Sequence, residues 1–253
     1  MKNKFTIIVL FSIFYFLFSL EANAARLYLI SPISEIGVGQ EFHVDLMLDA
    51  ERLDINAVEA KILFPEALLE LKEIRDGNSI VNLWIKRPKI EKAGAMDFSG
   101  IIPGGYQGAN GLLFSVIFQS KKSGSGAIEI HNAKILINDG NGTPADIEIS
   151  PLKVSIFQTS SVKSAIEPIN DKEPPEEFKP EISQNSDMFN AKWFLVFTTQ
   201  DKGSGIDHYK VCERVKTKCV IAESPYVLEN QNLNRKIFVK AIDKNGNERI
   251  AVL

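Results

Sequence analysis

Glu41-Phe42-His43-Val44-Asp45-Leu46-Met47-Leu48-Asp49 decides the fold class. Phe42, Val44, Leu46 and Leu48 alternate with Glu41, His43, Asp45 and Asp49, the period of two that gives a strand one buried face and one wet face. Met47 is the one apolar member of the outer set. Shorter or more apolar runs surround this stretch: Leu27–Ile30, Ala57–Phe64, Leu68–Ile74, Ala95–Ile101, Gly111–Gln119, Ala127–His131, Lys134–Ile137 and Ile147–Phe157. Most are bounded by Gly, Pro, Asn or Asp. Glu66–Arg75 also admits a helix through Leu68, Leu69 and Leu71, but Pro65 and Asp76-Gly77 bracket it tightly and favour a strand. About nine strands over residues 25–157, with no convincing long helix, predict an all-β chain whose first part is a jelly-roll sandwich.

Residues 158–173 change character. The stretch from Gln158 to Glu181 is rich in Ser, Glu, Lys and Pro and almost free of aromatics, the composition of a semi-extended linker. Residues 174–253 return to strand patterns, with Trp193 to Phe197, Ile206 to Val215, Tyr226 to Leu228 and Lys236 to Asp243 separated by Gly-, Asn- and Asp-rich turns. About seven strands in this length predict a second, immunoglobulin-like sandwich.

The N-terminus reads as an export signal. Lys2 and Lys4 precede an uncharged, mostly apolar run from Phe5 to Leu20, and Ala22-Asn23-Ala24 supplies the small-x-small pattern that signal peptidase needs. The expectation is cleavage after Ala24, with an uncleaved anchor as the alternative. The chain carries a formal charge of −3, and removal of Lys2, Lys4 and Glu21 moves it to −4. So mild a charge gives no electrostatic reason to bind nucleic acid or an anionic membrane. No second apolar stretch approaches membrane length.

Cys212 and Cys219 are the two cysteines. In an exported chain a disulfide is the default, with free thiols and a zinc pair as alternatives. Zinc needs two further ligands, and His43, His131 and His208 are far apart in sequence. Lys216-Thr217-Lys218 reads as a turn between apolar runs, which puts the two cysteines on facing arms of a hairpin.

Val38-Gly39-Gln40-Glu41-Phe42-His43-Val44-Asp45, then Ala57-Val58-Glu59-Ala60-Lys61-Ile62-Leu63-Phe64-Pro65, then Phe98-Ser99-Gly100, Gly111 to Phe118, Lys122-Ser123-Gly124 and Asn138-Asp139-Gly140-Asn141-Gly142 follow one another in this order. By these residues, positions 26–157 resemble the cohesin domain, the module that binds dockerin domains in cellulosome scaffolds. The resemblance implies a nine-stranded jelly roll, related to a class of carbohydrate-binding modules, and a partner that is a dockerin-like or other surface module. Asp201 to Val211 and Val239 to Asn247 resemble a bacterial immunoglobulin or fibronectin type III-like repeat, a common spacer on surface proteins. That resemblance implies architecture more than activity.

No nucleophile elbow, phosphate-binding glycine loop or His-Glu-x-x-His is present. The candidate ligand-binding residues are Asn82, Trp84, Tyr106 and Gln107, because aromatics offer flat apolar area to a sugar face or a protein. The bland reading of Trp84 is burial between the sheets. Asp139, Asn141 and Asp146 are candidate calcium ligands, hard oxygens in a glycine-permitted loop, and Asp201, Asp207 and Asp243 are a second such set. The bland reading is that these side chains only stabilise turns. The leading expectation is a secreted, non-catalytic binding or scaffold protein that recognises a protein or polysaccharide. The alternative is a carbohydrate-binding accessory to polysaccharide degradation.

Overall fold

The computed structural model describes residues 24–158, 166, 169–214 and 218–253. The expected signal segment therefore lies outside the described residues except for Ala24, as do residues 159–165, 167 and 168 of the expected linker.

The first sandwich comprises β1 (Ala25–Ile30), β2 (Glu35–Gly37), β3 (Glu41–Asp49), β4 (Ile55–Leu63), β5 (Leu69–Arg75), β6 (Leu83–Lys92), β7 (Ala95–Tyr106), β8 (Gly111–Ser120), β9 (Gly124–Ile137), β10 (Ile147–Ser150) and β11 (Leu152–Phe157). One sheet has the order β10-β1-β3-β8-β5, and the other β2-β11-β9-β4-β7-β6. The eleven strands form nine stretches of chain when β1–β2 and β10–β11 are each counted as one stretch with a break in it. The first breaks near Pro32 and the last at Pro151, positions with no N–H to give a ladder. Each broken run changes sheet at its break. β1 pairs parallel with β10 in one sheet, and β2 pairs parallel with β11 in the other.

Three details depart from the sequence patterns. The strand β6 lies where no strand was expected, since Pro88 and a charged run hide its alternation. Residues read as two strands, 127–131 and 134–137, form the single strand β9, kinked where Asn132 adopts φ 51°. Met47 is buried although its spacing points it outward, because the β3–β8 register shifts between Leu46 and Met47. A bulge of this kind re-aims the side chains that follow it.

Between the two sheets lies a core that includes Leu27, Leu46, Ile62, Phe98, Phe114 and Phe118. Phe98 meets Phe114 edge-on, with ring centroids 5.0 Å apart. Burying each of these side chains stabilises the fold by roughly 1.5–3 kcal/mol relative to exposure.

The C-terminal part holds β12 (Glu181–Gln184), β13 (Trp193–Val196), β14 (Ile206–Cys212), β15 (Val220–Ala222), β16 (Tyr226–Val227), β17 (Phe238–Asp243) and β18 (Glu248–Val252). These form sheets of order β12-β13-β16 and β15-β14-β17-β18 around a separate core containing Leu195, Phe197, Val211, Leu228 and Val239. Cys212 and Cys219 are joined, with Cα atoms 4.1 Å apart, just beyond the last β14–β15 pair, Val211 with Val220.

Candidate functional site

The outward face of the six-stranded sheet is built in rows. Leu136, Ala57, Ile101 and Leu83 lie side by side across β9, β4, β7 and β6, all half-buried. The next row is Lys134, Glu59, Ser99 and Lys86, and the one after it His131, Lys61, Asp97 and Lys89. Asp97 is held by Lys61 at 3.4 Å and by Lys86 at 3.2 Å, and Lys86 also bonds Glu91. Burial works against the Asp97 charge, but its side-chain bonds with Glu91, Lys86 and Lys61 outweigh that and hold the carboxyl below its ordinary range. On this face a half-open apolar strip runs beside a charged network.

β5 and β6 are the outermost strands of the two sheets on one side, and residues 76–82 connect them. The C-terminal sheets dock on this edge. Asp76, with its side chain only 7% exposed, accepts bonds from Arg87 Nη1 at 2.8 Å and from Lys244 Nζ at 2.5 Å. Arg87 also donates to the Ile206 carbonyl at 2.7 Å. Thr198 Oγ1 donates to the Asn82 carbonyl at 2.7 Å, and Gln200 Nε2 to that of Ser79 at 3.3 Å. Gly77 permits the approach, since a Cβ there would stand 2.2 Å from the Gly203 carbonyl oxygen. An exposed strand edge invites unwanted pairing, and this docking covers part of it.

A cleft of about 400 Å³ remains at the junction, lined from one side by β6 and from the other by Phe197, Thr198, Gln200 and Glu223 among others. Asn82 and Trp84 line it, whereas Tyr106 and Gln107 do not. Trp84 is half-buried, and its ring packs edge-on against Phe98 and Phe114. Tyr106 donates its hydroxyl to the Ala109 carbonyl at 2.9 Å, beside the exposed Gln107 in the β7–β8 turn. The junction partners Asp76, Arg87, Thr198 and Lys244 were not foreseen, because no periodicity links residues more than a hundred positions apart.

In the first candidate calcium set, Asp139 makes turn bonds. Asp139 accepts from the Asn141 N–H at 2.9 Å and from the Thr143 hydroxyl, and Thr143 leads the causes that lower its pKa. Asp146 lies past that turn, where its carbonyl accepts the Ala25 N–H. In the second set Asp201 and Asp243 meet, but Asp207 is exposed and bonds His208 at 2.6 Å. The third carboxylate beside Asp201 and Asp243 is that of Asp171, all three within 4.8 Å of one another. Burial, and then the charges of Asp171 and Asp243, push the Asp201 carboxyl up. Donation from the Ser204 N–H leads the bonds that hold Asp171 down. Oxygen donors this close suit a hard divalent cation.

Over about half of the chain, the structure is similar to solved cohesin modules. The seventh ScaB type I cohesin from Pseudobacteroides cellulosolvens is 15% identical, with 57% of this chain and 99% of that chain covered at a TM-score of 0.47. The cohesin module of a Clostridium perfringens family 33 glycoside hydrolase is 17% identical, with coverages of 54% and 99% and a TM-score of 0.45. A non-cellulosomal cohesin from the archaeon Archaeoglobus fulgidus is 17% identical, with coverages of 53% and 92% and a TM-score of 0.42. No protein-family model matches the chain, and no curated protein matches it.

Proposed function

We propose that this chain is an exported, non-catalytic adaptor whose first sandwich binds a dockerin-like or other surface protein on the outward face of its six-stranded sheet. The observation that carries this reading is the row Leu136, Ala57, Ile101, Leu83, an apolar strip half-open to solvent and bordered by the Lys61–Asp97–Lys86 network. A flat sheet face offers complementarity without enclosing a substrate. The apolar strip would supply contact energy and the charged rows would set register. The cohesin resemblance of residues 26–157 supports the same face-to-face use. The basic start, apolar run and Ala22-Asn23-Ala24 support export, and the Cys212–Cys219 bond fits an oxidising destination. The C-terminal strands act as an immunoglobulin-like module that fixes the orientation of the first.

The test compares the chain from Ala25 onward with its Ile101→Asp variant as bait against extracellular proteins of the source cells. The proposal expects at least one protein that the unaltered chain retains in a saturable way. The variant should lose it at least about tenfold, at an unchanged unfolding midpoint. Equal retention by both baits refutes the face.

A further inference from the structure

We propose that the cleft between β6 and the C-terminal sheets is a second binding site, and that its ligand is a short neutral oligosaccharide. The cleft, at about 400 Å³, has room for one or two sugar rings and sits at an interface between two cores, where small ligands commonly bind. Its walls are set in advance by the Asp76 bridges to Arg87 and Lys244, the Thr198–Asn82 bond and the close approach of Gly77 to Gly203. A fixed wall spares a ligand the cost of ordering it.

Charge narrows the ligand class. Of the cleft's cations, Arg87 is answered by Asp76, Lys86 by Glu91 and Asp97, and Lys202 by Glu176. Among the described residues this leaves Lys89, Glu223 and Asp201 without an ionic partner, and Asp201 stands beside the carboxylates of Asp171 and Asp243. The side-chain amide of Asn82 is likewise unoccupied, since only its main-chain groups are bonded. This set carries both signs and is rich in directional donors and acceptors, which suits hydroxyls and disfavours an anionic ligand.

Backbone geometry argues against a peptide strand. Pro88 has no N–H to offer, and the β6–β7 register slips between Trp84 and Lys86, Lys86 and Lys89, and Ile90 and Lys92. An edge this irregular is a poor template for an added strand. A sugar ring fits what is there, with its C–H face on the open part of Trp84 and on Ile85, which is 65% exposed, and its hydroxyls toward Asn82, Lys89 and Glu223.

The experiment titrates the chain from Ala25 onward calorimetrically with cellobiose, xylobiose, mannobiose, maltose and diacetylchitobiose, with digalacturonate and glucosamine as charged controls. The proposal expects saturable binding of at least one neutral disaccharide. Glu223→Ala and Lys89→Ala should each weaken it about tenfold at an unchanged melting temperature. Retention on the corresponding insoluble polysaccharide should be competed by the free disaccharide. The proposal falls if no neutral sugar binds, if only the charged controls bind, or if both variants bind like the unaltered chain. Glu223 lies on the C-terminal side of the cleft and outside the rows of the six-stranded sheet, so Glu223→Ala should lose the sugar and keep the protein partner, and the two sites fail separately.

Discussion

Lys244 Nζ reaches Asp76 Oδ1 at 2.5 Å, although 168 positions separate them in the chain. Arg87 holds the other oxygen of the same carboxylate, so one buried acid joins a strand connection of the first sandwich to a turn of the C-terminal sheets. Removing the charge leaves two half-exposed cations facing each other. Asp76→Asn is expected to lower stability by about 1–2 kcal/mol, a value between surface and fully buried pairs. Calorimetry should show one unfolding transition split into two as the cores uncouple. An unchanged single transition would show that the bridge contributes nothing.

The Cys212–Cys219 bond closes a short loop between β14 and β15. With about eight residues in the loop, chain entropy gives roughly 2.5 kcal/mol of stabilisation. Reduction is expected to lower the unfolding midpoint, and intact-mass analysis of unreduced, denatured protein should find no alkylatable thiol. Two modified thiols in that sample would count against the bond.

Tyr226 donates its hydroxyl to Glu213 at 3.1 Å, and the buried Glu213 also accepts the N–H groups of Glu229 and Asn230. Burial, then the Glu213 charge, pushes the Tyr226 pKa from 10.0 to about 12. The unfolded chain therefore loses this proton first as pH rises. The contribution is complete below pH 10.0 and lost as pH climbs through about 12. Midpoints measured across this window should fall, and fall less steeply in Tyr226→Phe. Tyr106 and Tyr209, also raised by burial, keep a slope in the variant.

Asp201 follows the same sign at the acid end of the scale. Burial and the charges of Asp171 and Asp243 raise its carboxyl, so the charged form costs stability above the folded pKa and nothing once both states are protonated. In chelator, Asp201→Asn should raise the midpoint at pH 7, and the gain should shrink as pH falls toward the unfolded carboxyl range. Because Asn retains an oxygen for the Gly205 N–H, loss of that bond does not confuse the result. A midpoint that drops at pH 7 would contradict the repulsion.

The all-β class was legible because alternation in Phe42 to Leu48 reports which side of a strand is dry. Alternation failed where a side chain's surroundings come from afar. Lys86, Arg87 and Lys89 hide β6, since they serve a charged face and a junction rather than open solvent. Of the four candidate contact residues only Asn82 and Trp84 line the junction cleft, and the Trp84 ring leans on Phe98 and Phe114. Asp171 was invisible as a companion of Asp201 and Asp243 because it lies in a stretch whose composition reads as linker. Proximity of that kind is made by docking, and no local pattern encodes it.

The paired breaks at Pro32 and Pro151 have a kinetic consequence. Among the described residues β2 has no ladder partner but β11, and β10 none but β1, so the early strands of this sandwich wait for its last ones before either sheet is complete. Contacts so distant in sequence make for slow folding. Under the export proposed above, a chain that cannot close early would remain threadable for longer.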